Sequence, residues 1–294
     1  MFLYIPFAAQ SFGEEYICVA EFGQDKMEFP HGIAIDPSGN VYVCGTDAIQ
    51  KFTPDGKYIT TIGKGKLNSP HEIAIDKNNI FVLDLSGKKI VAKFSADGTF
   101  NKTLNIDDVA GIAINSAPTI NLGSIYVLNM KNRTIALYTS NGDKVAQHHI
   151  DKFMQEITSD SSGNVFFASD SEIGKLNFKT GKLTTWNKQF NVPRGIAVDQ
   201  SGNIYVVDRN PEKISKFDPA GTFLTQIGKE GKGKGGLSAA FGLAVDSKGF
   251  VYATDYVPGN LSHVKKFMNA ALLKKSKQLF KKLPIDTPKQ EDIK

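Results

Sequence analysis

Two histidines, one with a carboxylate beside it, are the residues of this chain best suited to chemistry. His31 stands in PHGIAID and His71 in PHEIAID, each between a proline and an apolar run, and Glu72 follows the second. Imidazole nitrogen and carboxylate oxygen are ligands that zinc accepts in open catalytic sites, where the metal polarises a carbonyl or generates hydroxide. His31, His71 and Glu72 are therefore candidate ligands for a divalent ion such as zinc, and no other cofactor is indicated. Arg194, in the matching phrase PRGIAVD, would serve as the partner of an anion or oxyanion.

Other motifs lead to structure rather than chemistry. GKEGKGKGG at 228–236 approaches the P-loop spacing, but Gly235 stands where a Ser or Thr must bind magnesium, and the segment precedes a strand rather than opening a helix. It reads as a flexible basic loop. Asp36, Asp76, Asp160, Asp199 and Asp246 each head a turn such as DPSGN, where the carboxylate accepts backbone hydrogen bonds. Calcium loops need Asp or Asn at alternate positions before a glycine, and these turns do not supply them. There is no CxxC pair. Cys18 and Cys44 fall on an outermost strand and near the end of an inner strand of the next unit, so they read as two unpaired thiols.

The elements that must position these residues are repeated. PHGIAID, PHEIAID, VAGIAIN, MQEITSD, PRGIAVD and AFGLAVD recur at steps of 40, 39, 45, 39 and 47 residues, a period of propellers and solenoids. The fifth unit is the clearest. PRGIAVD is a short apolar strand, Gln200 to Gly202 a turn, NIYVVD a second strand, KISKFD a third and TFLTQIG a fourth. Units one to five each have four such pieces. The sixth lacks its fourth, and YICVAEFG at 16–23 supplies one from the other end of the chain. The expected fold is all-β, a six-bladed propeller of four-stranded antiparallel blades, closed by the N-terminal strand so that no wide sheet edge stays open.

PxGIAVD, then GNIYVxD, then KFxxxG with a closing IG resembles the NHL repeat over about residues 16–268. Blades three and four depart most: Asn115 replaces the turn Asp, NSAPTINLGS lengthens a turn, and Met154 and Gln155 replace Pro and His. The resemblance extends to two kinds of lyase propeller, the peptide-amidating lyases and the streptogramin lyases, which hold a metal with histidines at strand-opening positions or with channel-mouth His and Glu. Only His31 and His71 match such positions here. His148 and His149 fall in an outer strand and His263 in a third strand. No RING-type zinc cluster accompanies the repeats, so the ubiquitin-ligase role of some NHL proteins has no catalytic module.

In such a ring the first strand of each blade lines the channel, and its opening residue sits at one rim. These positions are His31, His71, Ala110, Gln155, Arg194 and Phe241, followed by Glu72 and Glu156. The ends of the second strands add Asp84, Asp208 and Asp255, with Arg209 and Tyr256 in the loops beyond; the three Asp also read as turn formers. Two functions follow. One is a non-catalytic binding or scaffold module that presents this rim to a protein, peptide or glycan. The other is a metal-dependent lyase or hydrolase at the channel mouth, with His31, His71 and Glu72 as ligands and Arg194 as anion partner.

Charge separates the body from its tail. The chain of 294 residues carries +5, with 35 Lys and Arg against 30 Asp and Glu, but the nine Lys and three acidic residues of 264–294 give that segment +6. A nearly neutral body argues against nucleic acid, whose binding rests on phosphate neutralisation. The tail over 269–294 has helical rhythm, with Met268, Leu272, Leu279 and Leu283 on one face and Lys274, Lys277 and Lys281 opposite. It is expected to dock on the propeller, the alternative being a membrane surface held through 269–283. FLYIPFAA within residues 1–15 reads as an apolar lead-in or signal-peptide remnant, giving an extracellular or secreted expectation with a cytoplasmic alternative.

Overall fold

The repeats become six four-stranded antiparallel sheets in the computed structural model, which describes residues 14–87, 89–117, 123–169, 171–188, 190–210, 212–257 and 262–275. Blade 1 runs Ile33–Ile35, Val41–Cys44, Ile49–Phe52, Tyr58–Ile62; blade 2 runs Pro70–Ile75, Asn79–Asp84, Ile90–Ser95, Phe100–Leu104. Blade 3 is Val109–Ile114, Ile125–Asn129, Thr134–Tyr138, Lys144–His149; blade 4 is Ile157–Ser159, Asn164–Ala168, Glu172–Asn177, Lys182–Asn187. Blade 5 is Pro193–Val198, Ile204–Arg209, Glu212–Phe217, Phe223–Ile227, and blade 6 is Ala240–Val245, Val251–Asp255, His263–Asn269. Tyr16–Phe22 completes blade 6 from outside, pairing Tyr16 with Asn269 and Phe22 with Val264.

Packing explains the composition of each strand. The second strands are buried throughout or nearly so, as in VYVC and IYVVD, because they are covered on both faces by neighbouring blades. The outer strands KVAQHH and KLTTWN are mostly exposed and correspondingly polar. Six apolar cores lie between successive blades, and the one that closes the circle joins Phe22, Tyr252 and Val264 of blade 6 to Ile33, Val41, Val43 and Phe52 of blade 1. The N-terminal strand is thus part of a core.

The recurring Asp residues do the structural work expected of them. Asp36 accepts the backbone N–H groups of Ser38 and Asn40 at 2.9 Å and the Tyr42 hydroxyl at 3.1 Å. Asp199 with Tyr205 and Asp246 with Tyr252 repeat the arrangement. In blade 3, Asn115 accepts from Ala117 N and the Tyr126 hydroxyl, both at 3.2 Å, so the departure from Asp keeps the bonds to the turn amide two residues on and to the tyrosine. Both cysteines are free, Cys44 buried and Cys18 partly so.

The C-terminal element differs from expectation. Met268 belongs to the strand His263–Asn269, and the helix begins after it, covering 270–275 of the described residues. Leu272 is 44% exposed there. Leu279, Leu283, Lys277 and Lys281 lie outside the described residues, as do residues 1–13 of the lead-in over 1–15. The chain is already tied down at residue 14, where the Glu14 carbonyl accepts the Thr225 hydroxyl and the Glu15 carbonyl accepts Ala270 N. No helix among the described residues is long and apolar enough to cross a membrane.

Candidate functional site

Irregularities in pairing aim the rim residues. Register shifts occur between Pro70 and Glu72, Val109 and Gly111, Pro193 and Ile196, and Ala240 and Leu243. The residues at these β-bulges include His71, Ala110, Arg194 and Phe241, the strand-opening set. Bulges re-aim side chains at strand ends, and here they do so round a ring. Their repeated placement brings His31, His71, Gln155, Arg194, Phe241 and Gly242 around one pocket of 70 Å³, bordered also by Glu72 and Glu156.

The pocket is walled by rings and guanidinium groups. His31 stacks on His71 with centroids 4.6 Å apart and planes 29° apart, and meets Phe241 edge-on at 5.0 Å. The guanidinium carbons of Arg194 and Arg209 lie 5.7 and 4.9 Å from the Phe241 centroid, within cation–π range. Arg194 Nη1 donates to Gln155 Oε1 at 3.2 Å, and Arg209 pairs with Glu212 at 3.4 Å. Burial first, then the neighbouring His31 and Arg194, pushes His71 down to about 4, and burial and Arg194 also lower His31. Both rings are therefore neutral at neutral pH.

Glu72 is placed differently from the histidines. Successive strand residues face opposite ways, so a carboxylate next to a histidine in sequence need not share its side. Glu72 Oε2 accepts Ile112 N of blade 3 at 2.8 Å, and burial holds its carboxyl up at about 8 despite that bond. Glu156 holds Ile196 N of blade 5 likewise; burial and the neighbouring Glu72 keep it well above the carboxylate range, with Arg194 opposing. At the equivalent positions Gly32 and Gly242 allow the next backbone to approach directly, and Gly32 N donates to His71 O at 2.7 Å. Glu72 and Glu156 by their side chains, and Gly32 by its amide, clasp blade to blade at this position.

This arrangement bears on metal binding. An ion held by two imidazoles lies near both ring planes, about 2.0–2.1 Å from each nitrogen. Rings stacked at 4.6 Å share no such point, and the Glu72 carboxyl faces a backbone amide instead. Holding an ion between His31 and His71 would require both rings to turn. Among the described residues no group of three or more His, Cys, Asp or Glu is gathered as a ligand set.

The second predicted set divides. Asp84, Asp208 and Asp255 are 1%, 2% and 0% exposed and anchor the loops that lead into the first strands. Asp84 accepts Asn68 N at 2.7 Å, Asp208 accepts Val192 N at 2.9 Å, and Asp255 accepts Ser238 N and Ala239 N at 2.8 Å. They are loop anchors beneath the surface, as the turn-former alternative has it, and offer no rim contact. Arg209 and Tyr256 do reach the rim. Tyr256 stacks on Phe29 at 4.9 Å, and Phe29 is 52% exposed with a φ of 47°. Sequence reasoning missed Phe29, which lies in the link between blades outside the repeated phrase, and Glu212, for which the repeat gives no signal.

A larger cavity of 780 Å³ lies at the opposite mouth, lined by Asp36, Asp76, Asp246, Lys77, Lys248 and neighbouring turn residues. Its three aspartates are engaged by their own turns, as in the 2.7 Å bonds from Asn78 N and Asn79 N to Asp76. The His31 mouth is the smaller space, and it is the one bordered by unpaired buried side-chain nitrogens.

Known proteins place the chain among repeat propellers. Residues 190–217 match the NHL repeat and residues 19–46 match the beta-propeller repeat, so the chain carries both in one six-bladed ring. No curated protein matches it in sequence. A structural genomics protein of unknown function from Bacteroides thetaiotaomicron superposes with a TM-score of 0.64 at 14% identity, covering 86% of this chain and 76% of that one. The virginiamycin B lyase of Staphylococcus aureus gives 0.58 at 16%, covering 86% and 99%, and a chain of a nidogen/laminin complex gives 0.56 at 21%, covering 67% and 79%. These likenesses establish the fold, and they span enzyme and non-enzyme alike.

Proposed function

We propose that this protein is a non-catalytic binding module that presents the His31 mouth to a protein partner. The observation that carries the reading is the engagement of Glu72 by the Ile112 amide, which leaves the histidines stacked on each other and on Phe241. Aromatic side chains and arginines around a small desolvated pocket are the composition of interface hot spots, and Phe29, Tyr256, Phe241, Arg194 and Arg209 supply it here. The rim loops carry this surface on a rigid ring.

A metal-dependent lyase or hydrolase is the second reading, favoured by the two histidines at one channel mouth and by a likeness covering 99% of the virginiamycin B lyase chain. Selection of a displayed random-peptide library on the full-length protein, counter-selected on Phe241→Ala, separates the two when run beside elemental analysis. Peptides that lose affinity for the variant support the binding module. No mouth-dependent peptide, together with one equivalent of divalent metal that a His31→Ala, His71→Ala variant loses, would replace it with the lyase or hydrolase.

A further inference from the structure

We infer that the pocket between His31, His71, Arg194 and Phe241 is a carboxylate-binding site that seats one carboxylate of the protein partner. The inference rests on the binding-module reading and specifies the chemistry of its contact. Three buried nitrogens of residues that line this pocket have no hydrogen-bond partner in the protein: Arg194 Nε, His31 Nδ1 and His71 Nδ1. A buried polar nitrogen left unpaired is costly, most of all the charged Arg194 N–H, so these three around one space favour a ligand that accepts from Arg194.

The identity of that acceptor follows from the donors. Arginine only donates, and a neutral imidazole presents N–H at whichever nitrogen is asked for. The Arg194 bond from Nη1 to Gln155 leaves the fork of Nε and Nη2 free, the edge that takes both oxygens of a carboxylate side by side. Among the described residues Arg194 has no acidic group within ion-pair distance, whereas Arg209 beside it already has Glu212. The carboxyls of Glu72 and Glu156 face the backbone amides of Ile112 and Ile196. The pocket's 70 Å³ is room for a few water molecules or one planar carboxylate, and the mutually packed His31, His71 and Phe241 rings border it.

The test is an NMR titration of the ¹⁵N-labelled full-length protein, following Arg Nε–H and imidazole resonances while sodium acetate replaces sodium chloride at constant ionic strength. The expected result is a saturable shift of Arg194 and both histidines at millimolar acetate, with acetamide at least about tenfold weaker. Arg194→Lys, which keeps charge without the fork, should weaken acetate about tenfold, and Arg194→Met should abolish the shift. N-acetylglycine and N-acetylaspartate α-amide then distinguish a chain terminus from an acidic side chain as the source. Linear shifts equal to those in chloride, or acetamide binding as well as acetate, would overturn the inference, and the wild-type comparison decides it even if a variant fails to fold. Mouth-dependent peptides without acetate binding would sink this inference and leave the binding module standing.

Discussion

Replacing Asp84 by asparagine should destabilise the ring by about 2–4 kcal/mol at neutral pH while leaving the rim chemistry in place. The carboxylate is 1% exposed and accepts Asn68 N at 2.7 Å, Ser69 N at 3.2 Å, Ser86 N at 2.9 Å and the Ser86 hydroxyl at 2.6 Å. Asparagine has one acceptor oxygen where aspartate has two, so at least one buried amide would face an N–H₂ instead. Hydrogen bonds to a charged acceptor contribute about 1.5–3 kcal/mol each, and losing one while weakening the rest gives the stated range. Burial opposes ionisation of Asp84, but these bonds outweigh it and hold the carboxyl below its ordinary value. A carboxyl depressed in the folded state stabilises above its unfolded value of about 3.9, and that stability is lost as pH falls through the folded value. The gap between wild type and Asp84→Asn should therefore be full at pH 7 and shrink below about pH 4. Urea unfolding followed by far-ultraviolet circular dichroism, and by the fluorescence of Trp186, the chain's one tryptophan, measures it at both pH values. Equal midpoints at pH 7, or a gap that persists undiminished in acid, would refute the loop-anchor assignment. Lost peptide binding at unchanged stability would return Asp84 to the rim.

Other substitutions test the ring and its clasps. A Cβ on Gly195 would collide with the Phe241 carbonyl and lie 3.0 Å from Leu243 N, so Gly195→Ala should cost about 2 kcal/mol or more and lower the melting temperature. Glu72→Ala should cost about 1–3 kcal/mol by orphaning the Ile112 amide, while Glu72→Gln keeps the clasp and stays within about 1 kcal/mol of wild type in urea. Removing residues 1–22 takes away the outer strand of blade 6 and Phe22 from the closing core, and should abolish a single cooperative thermal transition; an unchanged melting temperature would defeat the closure.

Much of this architecture was legible because the repeat fixes register: six equivalent phrases place every blade, and the surplus strand at 16–22 can only complete the sixth. The site was legible in part. His31, His71, Gln155, Arg194 and Phe241 were found because each opens a first strand, a position that needs only the repeat count. What the repeat does not encode is direction. Glu72 sits beside His71 in the chain, yet its carboxylate turns to blade 3, and Asp84 ends a strand near the rim, yet it is engaged beneath a loop. The buried Lys265, between Glu21 and Asp255 at 3.5 Å each, was equally hidden, since nothing in VKKF distinguishes it from its neighbour.

The two mouths of the channel differ in how much of their side-chain chemistry the fold itself uses. At the turn mouth each blade repeats nearly one residue type, because Asp or Asn there must hold a turn and, in four blades, a tyrosine hydroxyl. A position with that duty is not free to vary toward a ligand. The strand-opening positions carry His, His, Ala, Gln, Arg and Phe, and four of these six places, at His71, Ala110, Arg194 and Phe241, lie at bulges in the pairing. Their side chains carry little of the fold, which is why three of their nitrogens are left without partners inside the protein. In a ring built from one repeated phrase, the residues that differ where the structure makes no demand are the ones positioned to meet something else.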